Sequence, residues 1–400
     1  MTLSSRRANA ALVFLGVSTF SFVTVEVLPI GLLTVIADDL GRSRSQVGLL
    51  VTGYATVVVL ASIPLARLTH QLPRRLVLAG TLGVLTVATG LSAVAPSYEL
   101  LFASRLVIAL AQALFWAIAP PIATGLFPPE LRGRVVARLA IGTALAPILG
   151  IPLGTWLGEQ AGWRVPFVVM TVLGAAACAG IVALLPRAEV QDSPSRRGSS
   201  PDLRRYVVLL VTCAVGVTGF LTFNTYVTPF LLDISGFSSG VLGPMLLASG
   251  AGGLAGTLIV GRVLDRFPWG ATVLPLAVIG VGLFGLYALG QVQVVTVGLI
   301  AVIGLAFSGF AVAAQSRTLQ VAPGSTDIAS AGTSSAFNVG IAAGAFVGGA
   351  LIDTTTVRAV ALVGGLLAAA GALVMLSEPL LVRRRADVPE CAHDLCEEPA

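Results

Sequence analysis

Residues 141–158 read IGTALAPILGIPLGTWLG, a run without a charge in which Ala146, Gly150 and Gly154 recur every fourth position. Residues 334–352, SSAFNVGIAAGAFVGGALI, repeat the pattern 194 positions later with Gly340, Gly344 and Gly348, and Pro129 and Pro323 stand upstream in the same register. Small residues one turn apart give a helix a flat stripe on which a second helix approaches closely, the usual way helices pack in lipid. Pro147 and Pro152 each remove a backbone donor and bend the first of these helices.

The remainder of the 400 residues has the same character: 56% are hydrophobic and 11% charged, with a mean hydropathy of +0.94. A soluble domain carries roughly a quarter charged residues to solvate its surface, so the solvent for most of this chain is lipid. Crossing a hydrocarbon core about 30 Å thick takes roughly 20 apolar residues. Twelve such runs can be read, at 11–36, 46–68, 75–95, 99–126, 136–158, 164–185, 205–232, 239–263, 271–290, 293–315, 327–351 and 357–381. The expected fold is therefore an all-α membrane protein of twelve transmembrane helices in two six-helix, pseudo-symmetric bundles. The first bundle spans 1–185 and the second 205–382, joined by a polar linker at 186–204 and followed by an acidic tail at 383–400. A second echo, Glu26-Val27-Leu28-Pro29 against Tyr226-Val227-Thr228-Pro229, lies at a shift of 200. Such repeats place a substrate site between the bundles near the midplane.

All 24 basic residues are arginine. A P-loop, which needs its lysine on the phosphates, is thereby excluded. The two histidines, His70 beside a short loop and His393 in the tail, leave no histidine-based catalytic site inside the membrane, so an enzyme is not expected. A net charge of +5 does not point to nucleic acid, because the arginines are spread over short loops. One set of connections holds Arg6, Arg7, Arg67, Arg74, Arg75, Arg132, Arg134, Arg138, the linker arginines, Arg262, Arg266, Arg317 and Arg383 to Arg385. The other holds only Arg42, Arg44, Arg164 and Arg358, with Arg105 just inside a helix. That bias puts both termini in the cytoplasm, and the lysine-free, Ala- and Gly-rich composition suits a bacterial inner membrane. Cys391 and Cys396 flank His393, short of the four ligands of a closed zinc site, so neither a metal nor a cofactor is expected.

Charges inside a span are costly and mark function. Glu26 is the carboxylate well inside a predicted span, roughly 10 Å below the outer end of helix one; Arg105 lies about 8 Å below that of helix four. Two readings are open. Glu26 carries a coupling proton, poised between an apolar site that favours the neutral acid and an arginine that favours the carboxylate; or the two form a fixed pair locking helices together. Helix four puts Arg105, Ala109, Gln112 and Trp116 on one face, and helix one does the same with Thr19, Phe22 and Glu26. These stripes read as cavity lining or as interhelical packing. Asn224 and Tyr226 in helix seven and Asn338 in helix eleven are further candidates for substrate contact; Tyr54 is a weaker one.

The stretches TVEVLPIGLL (24–33), SRLVIALAQALFWAI (104–118), IGTALAPILGIPLGTWLGEQAGWRVPF (141–167) and SSAFNVGIAAGAFVGGALI (334–352) resemble the major facilitator superfamily. The likeness covers about residues 10–385 and is to its twelve-helix drug/proton antiporters of the sugar (arabinose) efflux and chloramphenicol-resistance type. It implies proton-coupled efflux of small molecules, drugs or sugars, by alternating access, usually by a monomer; an uptake permease of the same fold is the alternative. It also assigns residues. A loop-two gating motif is degraded to PLARLTHQLPRR (64–75), keeping Arg74 and Arg75, while GRVLDRFPWG (261–270) is a truer copy with Gly261, Asp265 and Arg266. The fourth-helix motif keeps Arg105, associated with proton coupling, and loses its glutamine and glycine to Ile108 and Ala109. The helix-five antiporter motif survives as Ala146, Pro147 and Gly150, with Gly154 beyond. Glu26 matches the acidic first-helix position of many such exporters.

Overall fold

The computed structural model describes residues 5–69, 72–128, 132–185, 200–263, 267–324 and 326–383. Its N-terminal half begins with α1 (Ser5–Gly31), which passes through Leu32 into the short α2 (Leu33–Leu40). α3 (Arg44–Thr69), α4 (Arg74–Ala93) and α5 (Tyr98–Gly125) follow. The fifth crossing is composite: α6 (Arg132–Leu145), a π turn at Ala146–Gly150, then α7 (Ile151–Ala161); α8 (Arg164–Leu184) closes the half. The C-terminal half runs through α9 (Leu203–Asn224), α10 (Val227–Asp233), α11 (Leu242–Val263), α12 (Gly270–Leu289) and α13 (Gln293–Val321). It ends with α14 (Thr326–Thr354), α15 (Ala359–Leu376) and the short α16 (Glu378–Arg383). Among the described residues, twelve segments are long and apolar enough to cross a membrane, one for each run read from the sequence. Most of the linker (186–199) and nearly all of the tail (384–400) lie outside the described residues, as do Asp265, Arg266, His70 and the Cys391, His393 and Cys396 cluster.

The fifth crossing is irregular where its prolines predict. Pro147 and Pro152 deny donors to the preceding turn, and the helix answers with a π turn over Ala146–Gly150. The seventh crossing, expected as one helix over 205–232, is broken instead at Thr225 and Tyr226. Leu32 (φ −100°, ψ 8°) and Tyr226 (φ −113°, ψ 24°) start the short distal helices α2 and α10 with nearly the same backbone. They stand 194 positions apart, the shift of the fifth and eleventh helices. That corrects the shift of 200 read at Pro29 and Pro229: the shared Val-x-Pro sits at different heights in the two bundles.

The glycine stripes mark the tightest crossings. A Cβ on Gly142 would lie 2.1 Å from the Gly16 carbonyl, one on Gly150 2.3 Å from Thr24 Oγ1, and one on Gly154 2.4 Å from Leu28, so this face carries α1. Gly340, Gly344 and Gly348 serve α9 in the same way. At Gly344 the added carbon would lie 2.7 Å from both Leu221 Cβ and the Thr218 carbonyl, neither of them a flexible side-chain end. Gly344→Val is therefore expected to cost about 1–3 kcal/mol by overpacking, read as a lowered midpoint of thermal unfolding in detergent; an unchanged midpoint would remove this account of the stripe.

Hydrogen bonds joining the halves, among the described residues, gather toward the end remote from the termini. Arg44 pairs with Asp233, with Nη2 donating to Oδ1 at 3.3 Å. Thr228 Oγ1 donates to the Ile30 carbonyl at 3.4 Å, and Thr52 Oγ1 to the Ala342 carbonyl at 3.3 Å. Glycine contacts fall at the same end: Gly48 of α3 abuts the Tyr226 hydroxyl, and Gly243 and Gly250 of α11 abut the backbone of Pro152 and Pro147. At the end near the termini, Leu68 of α3 and Ile328 of α14 are 76% and 75% exposed. Among the described residues, the hydrogen bonds between the halves thus gather at the remote end.

The remote end is also tied within the N-terminal half. Asp39, at the end of α2, accepts from Trp163 Nε1 at 2.9 Å and Arg164 Nη1 at 2.6 Å. The Trp163 bond first, and then Arg164, hold its carboxyl below the usual aspartate range. The lowered value makes the stabilisation fully present above the ordinary aspartate pKa, about 3.9, and fading as pH falls through the folded value. Acid unfolding of Asp39→Asn is expected to lack that component; an acid limb identical to wild type would contradict it.

Candidate functional site

Pro29 lies inside α1. Having no N–H, it cannot serve the carbonyl four residues back, that of Val25, and a buried carbonyl needs a donor. Arg105 provides one: Nη1 donates to the Val25 carbonyl at 2.8 Å and Nη2 to the Glu26 carbonyl at 2.6 Å. The arginine is fully buried, and its guanidinium sits over the Tyr54 ring, 5.0 Å from the centroid. It is thus bound to the backbone of Glu26 and makes no ion pair with the carboxylate.

The carboxylate has a different partner. Gln112, two turns beyond Arg105 on the same face of α5, donates from Nε2 to Glu26 Oε2 at 2.7 Å. The other end of that amide, Oε1, accepts from the Tyr54 hydroxyl of α3 at 2.6 Å. Gln112 and Tyr54 are buried, whereas Glu26 is half-buried. Three helices therefore meet in one network: α1 supplies the acid, α5 the arginine and amide, α3 the phenol.

The C-terminal half has no copy of it. At the 194 shift, Arg105 and Gln112 correspond to Leu299 and Ala306, and Glu26 to Phe220. Phe220 stacks on Phe307 with centroids 3.8 Å apart and planes 10° from parallel, and Phe310 stacks on Phe337 at 5.8 Å. The acid chemistry belongs to one bundle; at the matching position the other carries a ring stacked on Phe307. The sequence reading singled out neither phenylalanine pair.

The family model described as the Major Facilitator Superfamily matches residues 13–331. The chain belongs to the Major Facilitator Superfamily. It is a multi-pass membrane transporter of that family, not an enzyme. It is 30% identical over 360 residues to a probable sugar efflux transporter of Mannheimia succiniciproducens, covering 89% of this chain and 90% of that one. Among solved structures, its fold is that of a bacterial homologue of the human lysosomal transporter Spinster, in an inward-facing and unoccupied conformation (TM-score 0.74, 15% identity, 95% and 99% of the two chains). A peptide transporter, POT, is similarly alike (TM-score 0.75, 13% identity, 93% and 95%).

In this superfamily frame the other candidates take distinct places. Thr19 is buried and donates to the Gly16 carbonyl at 2.8 Å, with the Leu139 carbonyl of α6 at 3.2 Å. Phe22 is buried against Phe115, centroids 4.5 Å apart. Trp116 is half-buried and meets Phe115 edge-on at 5.6 Å. Asn224 is half-buried at the end of α9. Asn338 donates Nδ2 to the Ser334 carbonyl at 3.0 Å and leaves Oδ1 buried with no partner. Tyr226 is fully buried in the contact between halves, its hydroxyl donating to the Ala345 carbonyl at 2.9 Å. Ala146, Pro147, Gly150 and Gly154 form the crossing with α1 and, through the Pro147 carbonyl, the contact with Gly250 of α11. Arg74 opens α4, Arg75 donates to the Val182 carbonyl of α8, and Gly261 lies in the last turn of α11.

The sequence reading used Pro29 as a repeat marker and not as part of the site, and the spacing from Val25 to Pro29 was the signal for that role. Pro29→Ala returns an N–H to the Val25 carbonyl and sets it in competition with Arg105. The expected variant is at least as thermostable as wild type, since an interior proline costs a helix about 3 kcal/mol, yet transports several-fold more slowly. Wild-type transport would show that Arg105 does not depend on the vacated carbonyl.

Proposed function

We propose that this chain exports small neutral molecules, sugars foremost, across a bacterial inner membrane in exchange for protons, by alternating access and as a monomer with both termini cytoplasmic. The observation that carries this reading is the state of Glu26. It is a carboxyl group held inside a membrane span, half-buried and bonded to an amide, while the hydrogen bonds of Arg105 go to backbone carbonyls. A group so placed exchanges its proton with water on whichever side the cavity opens, while Arg105 keeps a fixed positive charge nearby to favour release.

The substrate class is supported by the relative named a probable sugar efflux transporter. Trp116, Asn224 and the unpartnered Oδ1 of Asn338 are the residues assigned to substrate contact, with Thr19 and Phe22 supporting them. The arginine bias supports placing the end near the termini in the cytoplasm, which assigns Tyr226, Arg44 and Asp233 to the outer closure. Arg74, Arg75, Gly261, Asp265 and Arg266 are assigned to the inner one.

The test is accumulation of a panel of labelled sugars and amphiphilic drugs in an efflux-deficient bacterium expressing the chain, with and without a protonophore. Lower accumulation abolished by the protonophore is the expected result. Gradient-driven uptake would make the protein an importer and overturn the direction proposed.

A further inference from the structure

We infer that Gln112 and Tyr54 form a relay by which α3 senses whether Glu26 is protonated, through reversal of two hydrogen bonds. The inference rests on Glu26 being the proton carrier and adds to it the path from proton to conformation. In the described structure the order is fixed by donors and acceptors. Tyr54 O–H donates to Gln112 Oε1, and Gln112 Nε2 donates to Glu26 Oε2. An ionised carboxylate only accepts, so the amide must present its NH2 to it.

Proton transfer from a hydronium ion breaks one O–H bond there, leaving water, and forms one on Glu26 Oε2, the oxygen that faces Gln112, which becomes a donor. The acceptor already in contact through the same side chain is the Gln112 carbonyl. Half a turn of the amide brings Oε1 to Glu26 and Nε2 to Tyr54. The phenol oxygen must then accept, and its own proton turns away from Gln112. Nothing else changes in bonding, and deprotonation to water reverses each step. The buried amide thus converts a proton on α1 into the orientation of a hydroxyl on α3.

α3 is the helix in which that change counts. Its remote-end turns carry Gly48 against Tyr226, Thr52 bonded to the Ala342 carbonyl, and Ser45 against Gly349, all contacts with the opposite half. Tyr54 sits within a turn of Thr52. Its ring also lies under Arg105, so the relay and the fixed charge share one side chain.

Other ionisable groups do not compete. The titratable or charged groups facing Glu26 are Arg105 from α5 and Tyr54 from α3. Among the described side chains, Arg138 of α6 bonds Asn9, Glu159 of α7 lies toward Ser239 and Asp38, Arg164 of α8 bonds Asp39, and Asp233 of α10 bonds Arg44.

The test uses the full chain in lipid nanodiscs, with Cys178, Cys213, Cys391 and Cys396 replaced by alanine and spin labels at Leu68→Cys and Ile328→Cys. Two signals are followed across a pH series: the label-to-label distance, and the infrared carboxyl band that is missing in Glu26→Gln. In wild type both are expected to titrate with one midpoint. In Tyr54→Phe, and in the near-isosteric Gln112→Met should the first not fold, the carboxyl band still titrates and the distance loses its pH response. A residue with only a packing role would lower stability and leave the two signals together. Wild-type distance changes in either folded variant overturn the relay, as does a wild-type distance indifferent to pH. A pH response that survives in Glu26→Gln instead removes Glu26 as carrier, which separates failure of that reading from failure of the relay.

Discussion

Glu26→Gln is expected to bring proton-driven export down to the protonophore-treated level while exchange of internal for external substrate continues. The argument is one of shape and of protons. Glutamine has the volume of glutamic acid and offers both an acceptor and a donor to the Gln112 amide that bonds Glu26, so the three-helix network has no reason to collapse. What it lacks is an exchangeable proton, and it stands in for the permanently neutral acid. Alternation with substrate bound remains possible, whereas return driven by proton release does not. The competing reading, a fixed pair with Arg105, predicts the reverse: lost stability with surviving protein still driven by the gradient. The first reading is supported by Arg105 donating to the Val25 and Glu26 carbonyls. Truncating Arg105 to alanine should accordingly be felt as a structural loss, about 1–3 kcal/mol for the carbonyl left without a donor.

The second large effect is a reversible lock. The Cβ that would be built on Gly349 lies 3.3 Å from Ser45 Cβ, across the contact between α3 and α14 at the remote end. A disulfide wants about 3.5–4.5 Å between these carbons, a few tenths of an ångström away. Ser45→Cys with Gly349→Cys, in a background without the natural cysteines, is expected to cross-link on oxidation and stop transport completely. Reduction should restore it to the level of the reduced double variant. Each single variant serves as control for the crowding that a side chain at Gly349 brings against the Tyr226 hydroxyl. Oxidised protein that is cross-linked by mass and still transports would mean that the remote end does not open in the cycle.

Much of the fold was legible because lipid imposes it. Uncharged runs had to be helices of spanning length, and the stripes Ala146, Gly150, Gly154 and Gly340, Gly344, Gly348 had to face another helix closely. Which helix they face was not legible, since that is a property of the bundle. Nor was the break at Tyr226. There the Val-x-Pro match at 27–29 and 227–229 suggested a register that the backbone at Leu32 and Tyr226 replaces. At the site, Glu26, Arg105 and Gln112 could be picked out because an intramembrane charge is rare and a seven-residue spacing keeps two α5 side chains on one face. Tyr54 ranked below the others, because its value lies in contacts made from a third helix. Phe22 and Tyr226 looked like cavity lining by residue type; in three dimensions Phe22 packs on Phe115, and Tyr226 plugs the contact between halves.

Proton-coupled export by way of Glu26 is tested most directly with purified protein in liposomes loaded with labelled L-arabinose, the pH gradient being the only driving force. Wild type is expected to move sugar against its own gradient toward the acidic side, with protons moving the opposite way, and Glu26→Gln to do neither while still exchanging labelled for unlabelled sugar. Sugar movement in wild type that ignores the pH gradient, or a Glu26→Gln variant that follows it as wild type does, would contradict the account.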